Sequence, residues 1–176
     1  MSLEHKFCQL DAEVTVTDGS VISGYASLFG KADQGGDTVI SGAYAASLAK
    51  GRQIKMLWQH DPAQPIGVWD EVREDVKGLW VKGRLLTDVA KGREAASLVS
   101  AGAIDGLSIG YRTVKAHKND KGGRLLSELE LWEVSLVTFP MLPDARVAAK
   151  GDDPNALMLR DLAAVFEDAR RLMART

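Results

Sequence analysis

The chain is poor in cysteine: Cys8 is the single one among 176 residues. One thiol cannot build an internal disulfide framework, and it fits a reducing compartment. It also excludes zinc ribbons and fingers, which need several thiolates. The histidines, His5, His60 and His117, are too scattered to suggest a metal cluster. A glycine-rich phosphate loop, an H-E-x-x-H pair and a G-x-S-x-G elbow are all missing. No cofactor and no metal are therefore indicated. No apolar run approaches the roughly 20 residues of a membrane-spanning helix. The opening residues, Met1 to His5, lack the apolar centre of a secretory signal. The formal net charge is only -2, which provides no general attraction to nucleic acid or to an anionic membrane. Neither is expected as a partner. There is no fixed-period repeat and no low-complexity tract.

What is present suits a compact β-rich domain. Hydrophobic residues make up 45% and charged residues 26%, ordinary for a globular chain. Glycine is frequent, at 17, while aromatics are only 6%. That mixture favours short strands and tight turns over a helical bundle.

Glu13 to Val16 and Val21 to Leu28 flank Asp18-Gly19-Ser20 and read as a hairpin. Ser41 to Ala49 reads as a short helix, with Ser41 as its cap and Gly51 as its end. Gln53 to His60 reads as a strand with Ile54, Met56, Trp58 and His60 on one face, stopped by Asp61-Pro62. Ile66 to Trp69 and Leu79 to Leu85 are further strands, joined across Asp75 to Gly78. Thr87 or Asp88 can cap a helix that runs to about Ala101 and stops at Gly102. Gly106 to Val114 and Leu125 to Phe139 are strands on either side of a polar turn, His117 to Gly123. After Gly151 to Asn155, the spacing of Leu162, Val165, Phe166, Ala169, Leu172 and Met173 gives one apolar helical stripe. The expected fold is mostly β with flanking helices: a closed or nearly closed β-barrel of about seven strands, plus a C-terminal helix. The expected division is a barrel domain over 1–150 and a linker with an amphipathic helix over 151–176.

Three positions stand out chemically. His60 ends a strand whose same-face neighbours are apolar, a held and partly desolvated place that suits a general base. On this position alone, a core-edge histidine bonded to a backbone carbonyl is the more frequent arrangement. Ser108 lies in Gly106-Leu107-Ser108-Ile109-Gly110-Tyr111, on the face shared with the two glycines and opposite the bulky residues. Small neighbours let a substrate backbone approach, and they also suit a serine that merely fills a bulged strand. Glu133, by alternation, shares a face with Leu129 and Leu131. A carboxylate there costs several kcal/mol unless it is paired. A histidine Nδ1–H is one partner that would satisfy it; Arg112, Arg124 or plain solvent are others. Asp33 and Asp37 sit in a glycine loop and read as turn residues, and His117 as a solvent-exposed one.

Together these segments resemble the prohead (head maturation) protease family of tailed phages. The resemblance runs from about Gly24 to Val147. It rests on four ordered blocks: Gly24 to Gly30 with Asp33 to Asp37 and Gly42-Ala43-Tyr44; Leu57 to Asp61 with Pro65-Ile66-Gly67; Gly106 to Tyr111; and Leu131 to Thr138 with Pro140 and Ala145. It implies a serine endopeptidase related in fold to the herpesvirus assemblins, which are usually dimeric. By matching position, His60 is the base, Ser108 the nucleophile and Glu133 the acidic partner. Assemblins use a second histidine in that third place, and no histidine occupies it here. Backbone N–H groups or an arginine such as Arg146 would stabilise the oxyanion. The resemblance also implies the partners: the major capsid protein precursor with its scaffolding segment, the protease itself as a substrate, and a homodimer or higher oligomer. The setting would be the host bacterial cytoplasm, inside the assembling prohead.

Two rivals belong to other classes. One is a non-catalytic capsid-assembly or scaffolding protein on the same fold. The other is an unrelated β-barrel binding module, which predicts that His60 and Ser108 lie far apart.

Overall fold

The computed structural model describes residues 4–7, 14–17, 20–33, 35–119, 122–138 and 147–148. The strands are β1 (Glu4–Phe7), β2 (Val14–Thr17), β3 (Val21–Leu28), β4 (Thr38–Val39), β5 (Lys55–Trp58), β6 (Asp61–Glu74), β7 (Gly78–Leu85), β8 (Gly106–Lys118), β9 (Arg124–Val137) and β10 (Val147–Ala148). Among the described residues two helices accompany them, α1 (Ala45–Ala49) and α2 (Ala90–Ser100). One sheet takes in all the strands, in the order β1-β8-β9-β5-β6-β7-β3-β2-β10, with β4 added beside β9.

The sheet curls around one apolar core. Ile22 of β3, Met56 of β5, Ile66 of β6, Val81 of β7, Ile109 of β8 and Val134 of β9 all belong to it. Strands β3 and β8, far apart in the sheet order, approach each other across that core. Burial alternates along β3 and β7 as the two-residue period requires. Helix α1 packs on β9 and β6, and α2 on β6 and β7. The Ala95, Ala96 and Val99 side of α2 faces inward.

Two expectations change. The sheet is not a closed barrel: among the described residues its order runs from one end at β1 to another at β10. Curling brings its arms together over the core without an edge-to-edge ladder, which closure would need. The helix expected from Ser41 begins only at Ala45 and has no side-chain cap. The Glu74 carboxylate does the capping instead, from thirty residues away. It accepts the Gly42 N–H, and also the Tyr44 N–H at 3.0 Å. The helix expected after Thr87 or Asp88 likewise lacks a side-chain cap: it starts at Ala90, and Val89 stands at its N-cap. Its end is as read, with Gly102 at φ +70°. The C-terminal helix, the Gly151 to Asn155 break, Cys8 and Arg146 lie outside the described residues.

Candidate active site

His60 is carried by a turn and not by a strand. Strand β5 stops at Trp58, which pairs with Asp61, the first residue of β6. Gln59 and His60 between them have φ of 51° and 62°. Both central residues are thus left-handed, as a two-residue hairpin of the I′ type requires. Asn and Gly are the usual occupants, and other residues cost about 1–2 kcal/mol each in that conformation.

The turn is held from several sides. The Gln59 N–H donates to Leu136 O at 2.9 Å, and Gln59 Nε2 donates to Thr138 Oγ1 at 2.6 Å. On the far side, the Asp61 carboxylate accepts the Ala63 N–H at 2.9 Å and Gln64 Nε2 at 2.6 Å. Those two bonds, the backbone one first, hold the Asp61 carboxyl below the ordinary carboxylate range. His60 therefore does not continue the face of Ile54, Met56 and Trp58, and Asp61-Pro62 starts a strand where a stop was expected.

Ser108 keeps the face read from its sequence. Leu107, Ile109 and Tyr111 enter the core, and Ser108 lies with Gly106 and Gly110 on the other side of β8. It is fully buried.

Glu133 reaches this same side by a route that alternation misses. Gly110 pairs with Glu133, but Tyr111 pairs with Leu131, so Trp132 is an extra residue on β9. Such a bulge transposes the faces. Leu129 and Leu131 point into the core before it, and Val134 and Leu136 do so after it. Glu133 thus leaves the face of Leu129 and Leu131 and joins that of Ser135, Gly110 and Ser108. Gly110 has no side chain to obstruct it: a Cβ there would lie 2.7 Å from Glu133 Cδ.

These placements bring the three side chains together across four strands. Ser108 Oγ lies 2.6 Å from His60 Nε2, and His60 Nδ1 lies 2.6 Å from Glu133 Oε1. Glu133 is 3% exposed, so the bond to His60 offsets the desolvation of a carboxylate. The hydroxyl can donate to Nε2 while Nδ1–H donates to the carboxylate. That line of contacts can draw a proton from the serine and steady the imidazolium that results. An unrelated binding module, which predicted a wide separation, does not fit a distance of 2.6 Å.

The other candidates sit elsewhere. Asp33 Oδ1 accepts the Asp37 N–H at 2.8 Å, as a turn residue does. Asp37 holds Arg124 through bonds of 3.0 and 2.6 Å. The Arg112 guanidinium stacks 4.7 Å over the Trp132 ring. His117 is exposed on β8. Among the described residues no group of three or more His, Cys, Asp and Glu side chains is placed to hold a metal ion. One buried neighbour received no role from the sequence: Ser135, on the Glu133 face and directly opposite Ser108. A hydroxyl two residues from the acid, in an otherwise apolar stretch of strand, was the available signal.

The model of the family described as caudovirus prohead serine protease matches residues 9–157. The chain belongs to that family. The prohead protease of Enterobacteria phage HK97 is 30% identical over 153 residues, which cover 85% of this chain and 68% of that one. Among solved structures, the bacteriophage T4 capsid assembly protease superposes with a TM-score of 0.64 at 15% identity, over 79% of this chain and 98% of that one. At that identity the likeness is one of fold. The varicella-zoster virus protease aligns more loosely, with a TM-score of 0.44 at 15% identity over 70% of this chain and 60% of the other.

Proposed function

We propose that the chain is a serine endopeptidase of prohead maturation, in which Ser108 is the nucleophile, His60 the general base and Glu133 the group that orients the base. The observation that carries this reading is the unbroken line of contacts, 2.6 Å from Ser108 Oγ to His60 Nε2 and 2.6 Å from His60 Nδ1 to Glu133 Oε1. Ser108 attacks the scissile carbonyl while His60 takes its proton. His60 then returns that proton to the leaving amine, and water, activated by the same imidazole, hydrolyses the acyl-enzyme.

The substrate is the scaffolding segment of the major capsid protein precursor, together with the protease's own chain. Support comes from the kinship: HK97's relative is a prohead protease and the T4 neighbour is a capsid assembly protease. The Gly151 to Asn155 segment, read from the sequence as a linker, is the place for self-cleavage. It would separate a protease domain, 1–150, from a linker and helix, 151–176. The enzyme works as a homodimer or higher oligomer inside the assembling prohead, in the host cytoplasm.

The test is the intact mass of the cognate capsid precursor after co-expression with the wild type or with Ser108→Ala. Wild type is expected to trim the precursor, and Ser108→Ala to leave it full length. A precursor left whole by both, in capsids that still assemble, would replace this reading with the scaffolding one.

A further inference from the structure

Ser135 is fully buried. It pairs with Ser108 on one side, across β8, and with Leu57 on the other, across β5. Its hydroxyl donates to Glu133 Oε2 at 2.5 Å. The same oxygen accepts the backbone N–H of His60 at 3.3 Å. One side chain thus fastens the carboxylate and the left-handed turn to each other. Its proton goes to the acid and a lone pair receives the base's own backbone.

We propose that Ser135 is a positioning residue that locks the Glu133 carboxylate and the His60 turn into the arrangement in which Oε1 meets Nδ1. The inference rests on the roles proposed for His60, Ser108 and Glu133. A glutamate side chain turns about three bonds, and the bond to the imidazole fixes only one of its oxygens. The second oxygen, held by Ser135, sets the plane of the carboxylate and thereby the direction in which Oε1 faces. The His60 N–H belongs to a residue at φ 62°, a conformation that persists where neighbours hold it. Ser135 supplies such a hold from the strand that also carries the acid. It is not a second nucleophile: the hydroxyl in reach of Nε2 is that of Ser108.

The test is a double-mutant cycle on the full chain, with Ser135→Ala, Glu133→Gln and the pair, read with a peptide spanning the precursor's cut site. Ser135→Ala is expected to lower kcat on the order of tenfold to a hundredfold, the range for groups that orient a functional ligand, and to leave KM unchanged. In the Glu133→Gln background it is expected to add no further loss, because the group it acts through is gone. Ser135→Thr, which keeps the hydroxyl, is expected to restore part of the rate. A Ser135→Ala loss that multiplies with the Glu133→Gln loss, or one that appears in KM, overturns the inference. A second readout needs no substrate. The far-downfield proton resonance of His60 Nδ1–H is expected to shift or broaden in Ser135→Ala. An unchanged resonance in a folded Ser135→Ala overturns the inference by itself. Absence of peptide cleavage by the wild type would count against the protease reading, and the resonance would still decide the placement.

Discussion

At the scale of single residues, the site depends on a missing side chain as much as on those present. Glycine at 110 is required by the acid across from it, for a Cβ there would come within 2.7 Å of Glu133 Cδ and 2.8 Å of its Cγ. Contacts that short force a movement, and the glutamate side chain gives way more readily than two paired strands. Gly110→Ala is therefore expected to fold while displacing the carboxylate from His60 Nδ1. A fall in kcat of roughly tenfold to a hundredfold, with a thermal midpoint within a few degrees of the wild type, is the expected pair of results. Unchanged kcat would mean that Glu133 reaches His60 from another rotamer. The face of Ser108, shared with its glycine neighbours, was legible in the sequence because β8 keeps strict alternation from Gly106 to Tyr111. Glu133 was placed on a face by the same rule, and there the rule failed. The bulge at Trp132 has no glycine or proline to announce it. Its cause is tertiary, set by the register of β9 against β8.

At the scale of elements, hairpins and helices with local signals were legible. The β2–β3 hairpin, the strands β7 and β8, and the glycine stop of α2 all follow from periodicity and turn residues. The turn that carries His60 was not, since Gln-His lacks the Asn or Gly that marks such a turn. Its conformation is imposed from β9, through Ser135 and Leu136, and from Thr138 just after it. Non-local support also decides the β6–β7 connection. Asp75 there accepts hydrogen bonds from Tyr25 Oη at 2.7 Å, the Lys77 N–H at 2.8 Å, the Gly78 N–H at 3.2 Å and Arg73 Nη1 at 2.8 Å. Burial opposes ionisation of Asp75, but these bonds outweigh it and hold its carboxyl below the usual range. Burial first, and then the bond to Asp75, push the Tyr25 hydroxyl up. The sign for Asp75 follows from linkage. A carboxyl whose pKa is lowered on folding stabilises the protein fully above its unfolded value, about 3.9, and loses that contribution as pH falls through its folded value. Asp75→Asn is expected to cost about 1–2 kcal/mol at neutral pH and to differ less from the wild type as the pH falls below about 4. Melting temperatures recorded against pH check this. Curves that stay parallel into acid would assign the acid sensitivity to other carboxylates.

At the scale of the whole molecule, the arrangement of the sheet decides what can reach Ser108, the proposed nucleophile. His60 stands on the β9 and β5 side of β8, so an extended peptide would approach Ser108 along the opposite flank of β8. Strand β1 lies along that flank, with Phe7 across from Ser108, Lys6 from Ile109, His5 from Gly110 and Glu4 from Tyr111. The pairing was not legible, because four residues near one end carry no signal for a partner a hundred positions away. Ser108 has no exposed surface, so the nucleophile proposed for it reacts only through a state in which its surroundings have opened. A four-residue strand is a small unit to release. Deletion of residues 1–7 is therefore expected to speed labelling of Ser108 by a fluorophosphonate roughly tenfold, the factor that about 1.4 kcal/mol carries. The rate is read by intact mass against time, with Ser108→Ala as the unlabelled control and circular dichroism as the check on folding. A folded, shortened chain that labels no faster would show that β1 does not limit access, and that the opening step belongs to the face of the sheet over Ser108 and not to its edge.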